Sequence, residues 1–239
     1  MRLSTSAVFV LVAAIATSCL VAAGSAAAGR KSGTYAPHID PANFQTRVEN
    51  PFFPLEPGTR FTYRETSRGR SSVNEVTVTH DTRVILGVSC VVVHDVVKDG
   101  GRIAEETFDW YAQDKQGSVW YFGEASKEIG PRGNVSTEGS WEAGVDGAQP
   151  GILMKAEPTV GKPYRQEYYR GHAEDMGQAI AVGDSVTVPY GSFAGCVRTK
   201  DWSMLEAGTE TKWYAKGVGL VRSQSSSREL SELVSITRP

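Results

Sequence analysis

Apolar and polar residues alternate with a period of two along most of the chain from about residue 60 onward, which is typical of β-strands with one buried face. Phe61 and Tyr63 alternate with polar neighbours, and Asp99-Gly100-Gly101 predicts a hairpin turn. Strands are predicted over residues 60–66, 73–79, 81–86, 90–97, 103–112, 118–122, 164–169, 179–189, 196–202, 210–222 and 229–237. The pattern predicts a mainly all-β fold, either a curved antiparallel sheet or a half-open β-barrel.

One series of residues occurs twice in the same order, which predicts two related β-units. The first series is Gly87, Cys90, Glu106, Thr107, Trp110, Tyr111 and Ala112, and the second is Gly191, Cys196, Glu210, Thr211, Trp213, Tyr214 and Ala215. The duplication indicates an architecture but not a chemistry, because neither copy places a matching set of acid, base, nucleophile or metal ligands.

Residues 130–161 show little alternation and are rich in Gly and Pro. We expect a long loop or an excursion over the barrel mouth here, and loops of this length are often functional or disordered. Trp141 and the apolar run Ile152-Leu153-Met154 are too hydrophobic to be left in water. The segment is therefore expected to fold back onto the sheet as a lid.

The first 28 residues have the pattern of a signal peptide, with Arg2, an apolar run and a small-residue cleavage site that ends at Ala28. A flexible leader is expected over residues 29–41 and a single antiparallel β-domain over residues 42–239. Lipidation of Cys19 is the less favoured alternative. No later apolar run is long enough to span a bilayer, so the sequence predicts a secreted or cell-envelope protein.

Signal cleavage would leave Cys90 and Cys196 as the two cysteines of the mature chain. Two cysteines in an oxidising compartment usually pair. The two residues also occupy matching places in the predicted units, so the prediction is a Cys90–Cys196 disulfide. The alternative is two inert buried thiols.

The charge balance is close to neutral, with 25 basic and 27 acidic side chains. Phosphate binding needs concentrated Lys and Arg, so nucleic acid is not expected as a partner. The pattern gives no indication of the oligomeric state.

Three stretches resemble a known family. They are Asn50-Pro51-Phe52-Phe53-Pro54-Leu55 with Gly58-Thr59 and Tyr63, then residues 186–193, and then Trp213-Tyr214-Ala215-Lys216-Gly217-Val218-Gly219-Leu220-Val221. They resemble a family of exported bacterial β-proteins of unknown function that end in a Trp-Tyr-Ala-Pro-Gly-Val-Gly-Leu-Val strand, and Lys216 departs from that pattern. By fold analogy the family is similar to LolA-like lipoprotein carriers, whose half-open barrel holds acyl chains on its concave face.

Few residues indicate catalysis or metal binding. His80-Asp81 and His94-Asp95 lie within or at the ends of predicted strands. Adjacent side chains of a strand point to opposite faces, so neither pair is expected to chelate one ion. Glu106 shares a face with Phe108 and Trp110, and an acid among aromatic rings could have a raised pKa. An exported hydrolase or cyclase that uses Glu106 is therefore one alternative. No catalytic residue, metal or cofactor is assigned.

The aromatic residues exceed what turns alone require, and a half-open barrel leaves one concave face uncovered. Part of the set is therefore expected to line an apolar groove. The predicted ligand-binding residues are Phe108, Trp110, Trp120, Trp141, Ile152, Leu153, Met154 and Trp213. The predicted function is non-enzymatic binding or transport of an apolar, lipid-like or amphipathic molecule. An envelope protein-interaction module is the second alternative.

Overall fold

The computed structural model describes residues 35–239. The predicted signal peptide, Cys19 and residues 29–34 lie outside the described residues. A short 3-10 helix spans Pro41–Asn43. The strands are β1 (Phe44–Gln45), β2 (Val48–Asn50), β3 (Phe53–Leu55), β4 (Arg60–Ser67), β5 (Arg70–Ile85), β6 (Val88–Asp99), β7 (Arg102–Asp114), β8 (Val119–Ile129), β9 (Val135–Ser136), β10 (Trp141–Glu142), β11 (Gln149–Met154), β12 (Tyr164–Arg165), β13 (Glu167–Tyr168), β14 (Asp175–Val188), β15 (Gly191–Ser203), β16 (Glu210–Ala215), β17 (Gly219–Ser225) and β18 (Leu230–Thr237).

The described chain forms an antiparallel barrel-like sheet that is nearly closed, which confirms the predicted all-β, half-open barrel. Its strand order is β12-β14-β15-β16-β17-β18-β4-β5-β6-β7-β8-β11-β13. The segment at residues 164–168 brings the two ends together, because β12 pairs with β14 while β13 pairs with β11. The Gln166 amide between them also donates to the Asp175 carbonyl at 2.9 Å.

The alternation in the sequence sets the register of the long hairpins. Phe61 and Tyr63 on β4 are buried inside the barrel, opposite Val76 and Asn74 on β5. The turn after β6 uses Gly100 and Gly101 with φ of 59° and 81°, a region that glycine adopts without steric cost. The hairpin predicted from Asp99-Gly100-Gly101 is therefore confirmed.

The β2–β3 hairpin closes one end of the barrel and is called the plug hairpin below. It forms its own two-stranded sheet. Its Phe53 ring lies 5.3 Å from the ring of Tyr111 and 6.4 Å from that of Tyr214, measured between centroids. Because Tyr111 and Tyr214 come from distant strands, Phe53 joins two walls of the interior. The plug hairpin therefore forms part of the hydrophobic core at this end.

The expectation of a long loop over residues 130–161 is wrong. The segment contains β9, β10 and β11, and all three pair with β8. Ile152, Leu153 and Met154 belong to β11 and are part of the barrel wall rather than a lid. Glycine allows this packing, since a Cβ at Gly123 would clash with the Trp141 backbone on β10.

Cys90 and Cys196 are both buried free thiols, so the predicted disulfide is absent from the structure. Cys90 lies on β6 and Cys196 on β15, and five strands separate these two in the sheet order. A disulfide requires the two Cα atoms to lie within about 7 Å of each other. Matching positions in the sequence therefore do not bring the thiols together.

No helix among residues 35–239 has the length and hydrophobicity needed to cross a bilayer.

Candidate functional site

The predicted aromatic residues do not line one common groove. On β7, Asp109 and Tyr111 point into the barrel, because they lie opposite the inward-facing Val93 and Val91 of β6. Side chains alternate along a strand, so Phe108 and Trp110 point to the outer face. The predicted concave face therefore lacks two of its central members.

The outer face of β5–β8 is covered by ion pairs and stacked rings. The Arg83 guanidinium lies 4.3 Å from the Trp110 ring centroid, and the His94 and Phe108 rings stack at 4.4 Å. Glu106 contacts His94 at 3.1 Å. Glu106 thus lies outside the barrel and is paired with His94. The hydrolase alternative required Glu106 to lie inside an aromatic cavity, and the structure does not place it there.

The remaining predicted ligand-binding residues lie in several places. Trp120 donates to Asp114 at 2.8 Å. Trp213 is half-buried, with the Arg222 guanidinium 5.4 Å from its ring centroid. Leu153 and Met154 are buried, and Ile152 is half-buried. Trp141 does face the interior, because it lies opposite the inward-facing Glu124 and its ring is 5.4 Å from that of Tyr121.

Beyond the aromatic rings that contact the plug hairpin, the interior is acidic rather than apolar. Four carboxyl groups, here called the acidic layer, come from the inward positions of β6, β7, β8 and β13: Asp95, Asp109, Glu124 and Glu167. Their exposed fractions are 5%, 0%, 2% and 1%. Burial at this depth is unusual for acids unless they are paired.

Several polar atoms of this region lack a hydrogen-bond partner within the protein. Tyr121 donates a 2.7 Å hydrogen bond to Asp109 Oδ1. Asp109 Oδ2, Glu124 Oε2, Glu167 Oε2 and the Tyr111 hydroxyl are buried and unpartnered. Since each such group costs about 1–3 kcal/mol, the arrangement is expensive for a purely structural core.

Burial keeps protons on these carboxyl groups at higher pH than usual. It raises the pKa of Asp109 to about 7, against a lowering by the Tyr121 hydrogen bond. Burial and the neighbouring Asp109 raise the pKa of Glu124, while burial and Asp175 raise that of Glu167. Asp109 can therefore exchange a proton near neutral pH.

One buried basic side chain, Lys212, faces these acids among the described residues. Its Nζ lies 3.0 Å from Asp201 Oδ2 and 3.2 Å from Glu210 Oε2. Burial opposes its charge, but Glu210 and Asp201 raise the pKa of Lys212 well above its usual value. This ammonium group pairs with Asp201 and Glu210, and within the acidic layer it opposes the raised pKa of Glu167 alone.

A small pocket opens at the opposite end from the plug hairpin. Its volume is about 10 Å³, and it is called the mouth pocket. It is lined by Glu65, Thr66, Glu210, Ser223, Ser225, Glu229, Leu230 and Ser231. The barrel interior thus changes from aromatic at the plug hairpin to carboxylate and hydroxyl groups at this mouth.

Alternation in the sequence already separates the two faces of β7. The more hydrophobic face, however, is the outer face in the structure and not the interior one. Glu105 and Asp109 share one face, and Phe108 and Trp110 share the other. The sequence does contain acids that recur at inward positions of neighbouring strands. This recurrence can be recognised only once the pairing of β6, β7 and β8 is known.

The fold and site define an all-β, nearly closed barrel with an acidic interior, and comparisons with known proteins add no function to this description. No protein-family model and no curated protein matches the sequence. A structure described as "a putative exported protein with YmcC-like fold" from Bacteroides fragilis NCTC 9343 is 18% identical, with a TM-score of 0.48, and the match covers 78% of this chain and 99% of that one.

A second structure, described as "a putative lipoprotein" from Parabacteroides distasonis ATCC 8503, is 15% identical with a TM-score of 0.47, over 78% of this chain and 98% of that one. At these levels of similarity no property of either protein is carried over to this chain. The resemblance to the family with the Trp-Tyr-Ala-Pro-Gly-Val-Gly-Leu-Val strand, the LolA analogy and the two-unit duplication stay predictions.

Proposed function

We propose that this chain is an exported, non-enzymatic protein that binds an amphipathic small molecule inside its barrel. Export rests on the signal-peptide pattern of residues 1–28. The observation that carries binding is the set of buried, unpartnered polar atoms on Asp109, Tyr111, Glu124 and Glu167. Native proteins satisfy nearly all buried polar groups, so such a cluster calls for a partner.

The surrounding side chains favour an amphipathic ligand over a purely apolar one. The acidic layer would accept hydrogen bonds from a polar or cationic head group, and charge-assisted hydrogen bonds of this kind are strong. Phe53, Tyr111 and Tyr214 form an adjoining buried aromatic cluster, which would have to open for the apolar part of a ligand to enter. A purely apolar ligand would leave the carboxyl groups without partners.

Binding rather than catalysis is favoured by the position of the groups. The one acid proposed from the sequence for hydrolysis, Glu106, lies on the outer face and contacts His94. Inside the barrel the same kind of group, a carboxyl, recurs around the wall. That arrangement supplies many hydrogen-bond acceptors for one ligand.

Tryptophan fluorescence can test the proposal, because Trp141 faces the interior while Trp110 lies on the outer face. A panel of fatty acids, lysophospholipids and long-chain amines is titrated into the protein while emission is recorded. We expect a shift for at least one amphipathic compound, and loss of that shift in Trp141→Phe but not in Trp110→Phe. The double variant Asp109→Asn/Glu124→Gln should weaken binding at least tenfold, while Glu106→Gln should not.

The proposal is overturned if no compound changes the emission. It is also overturned if the change survives both Trp141→Phe and Asp109→Asn/Glu124→Gln, since binding would then lie outside the barrel.

A further inference from the structure

The mouth pocket combines three carboxyl groups with several hydroxyl groups in a space for about one water-sized group. Its carboxyl groups belong to Glu65, Glu210 and Glu229, and its volume is about 10 Å³. Glu65 lies inside β4, Glu210 begins β16, and Glu229 immediately precedes β18. Three separate parts of the chain therefore direct acids to one small space.

Glu65 is the member with an unused acceptor. Its exposed fraction is 2%. Its Oε2 accepts a hydrogen bond from Ser72 at 3.0 Å, but its Oε1 has no partner within the protein. Glu210 contacts Lys212 at 3.2 Å, and Glu229 accepts from Ser67 at 3.1 Å. A buried, unpartnered carboxylate oxygen thus lines the pocket.

We infer that the mouth pocket binds a primary ammonium group, either of a free amine or of a peptide N-terminus or lysine. An ammonium group has about the size of a water molecule and carries three N–H donors, which suits an enclosure of carboxylate and hydroxyl acceptors. The described residues contain no group of three side chains arranged to hold a metal ion. This inference goes beyond the proposed function, because it concerns a different place and does not need the acidic layer.

Binding at this pocket would release a proton. Burial raises the pKa of Glu65 to about 8, Ser72 and Asn74 oppose the shift, and Glu105 and Glu210 add to it. The charged groups that face Glu65 are Asp95 on β6, Glu105 on β7 and Glu210 on β16. Glu229, before β18, lines the same pocket, and Lys212 is held on Glu210. Near pH 7 an entering ammonium would replace the proton on Glu65, so the net reaction takes up one cation and liberates one proton.

Calorimetric titration with n-butylammonium chloride tests this inference. Heats measured at pH 7 in two buffers of different ionisation enthalpy give the number of protons released. We expect one bound n-butylammonium, release of about one proton, and affinity that rises as the pH increases from 6 to 8. Tetramethylammonium, which has no N–H donor, should not bind. Gly-Gly with a free N-terminus should bind if the pocket accepts a peptide N-terminus, and Gly-Gly with an acetylated N-terminus should not bind.

Matched variants locate the site. Glu65→Gln should weaken n-butylammonium binding at least tenfold and abolish proton release, and Glu229→Gln, at a half-buried position, should weaken it as well. Glu232→Gln is the control, because Glu232 pairs with Arg64 at 3.4 Å on the other face of β18. Variants with unchanged circular dichroism are compared.

The inference is overturned if n-butylammonium does not bind the wild-type protein at millimolar concentration, if tetramethylammonium binds equally well, or if both Glu65→Gln and Glu229→Gln bind like the wild type. The proposed function is tested by a different variant, Asp109→Asn/Glu124→Gln, so these results do not decide it.

Discussion

Tyr121 donates a 2.7 Å hydrogen bond to Asp109 in the barrel interior, while the second carboxylate oxygen of Asp109 has no partner within the protein. Both residues are fully buried. The pair lies beside Glu124, which also keeps one unpartnered oxygen. Buried carboxyl groups with only part of their hydrogen bonds made distinguish the interior from an ordinary hydrophobic core. They also make the free energy of unfolding depend on pH.

Stability is expected to fall as the pH rises from about 4 to about 8. Burial raises the pKa of Glu65 to about 8 and those of Glu105 and Asp109 to about 7. The folded state then holds more protons than the unfolded state throughout this range, so its stability decreases with pH and levels off above pH 8. A tenfold difference in proton affinity between the folded and unfolded states changes the free energy of unfolding by roughly 1.4 kcal/mol.

Thermal unfolding at half-unit pH intervals checks this expectation. Asp109→Asn removes one titrating group and should flatten the slope. A midpoint that rises steadily between pH 5 and pH 8 would contradict the account.

Tyr121→Phe should cost more at high pH than at low pH. A hydrogen bond to a neutral acceptor contributes about 0.5–1.5 kcal/mol and one to a charged acceptor about 1.5–3 kcal/mol. Asp109 is neutral at pH 5 and ionised at pH 8.5, so the cost of the variant in urea unfolding should increase between these values.

Tyr63→Phe provides the matched control, because Tyr63 donates a buried 2.9 Å hydrogen bond to the Leu220 carbonyl. That acceptor does not titrate, so the cost should be similar at both pH values. Equal pH dependence in the two variants would show that Asp109 does not ionise in the folded protein.

Lys212→Met should destabilise the protein by about 3–5 kcal/mol, because it leaves Asp201 and Glu210 without their buried partner. Adding Asp201→Asn should restore part of the loss. Lys98→Met is the control: Lys98 pairs with Glu75 at 2.6 Å, but both side chains are about one-third exposed. Surface pairs contribute about 1 kcal/mol or less, so this variant should cost much less. Chemical denaturation measures the free energy of unfolding of each variant, and equal costs for Lys212→Met and Lys98→Met would refute the role given to Lys212.

Cys90 and Cys196 should behave as protected thiols. Burial raises the pKa of Cys90 to about 12 and also raises that of Cys196, and the thiolate is the reactive form. Iodoacetamide at pH 8 should therefore leave both unmodified in the native protein and alkylate both after denaturation without reductant. Recovery of a disulfide-linked Cys90–Cys196 peptide would restore the prediction made from the sequence.

Local pattern was sufficient to predict the β class and several long strands. The strand predicted over residues 60–66 is β4, and the run before Asp99-Gly100-Gly101 is β6. The two-residue strands β9 and β10 could not be predicted, since their existence depends on pairing with β8 and not on their own composition.

The site was harder to predict because barrel closure decides which face is inside. On β7 the aromatic face of Phe108 and Trp110 is the more hydrophobic one, yet the structure turns it outward and covers it with Arg83 and His94. Asp109 occupies the interior in its place. Long-range pairing, which a single sequence does not reveal, also keeps Cys90 and Cys196 apart.

Native mass spectrometry of the protein isolated from cells that normally produce it shows whether the barrel holds a ligand. We expect a population with one bound small molecule, which is lost in Asp109→Asn/Glu124→Gln and kept in the outer-face variant Glu106→Gln. A single ligand-free mass in all three proteins, or a bound molecule kept equally by the double variant, would contradict the claim that the acidic interior is a binding site.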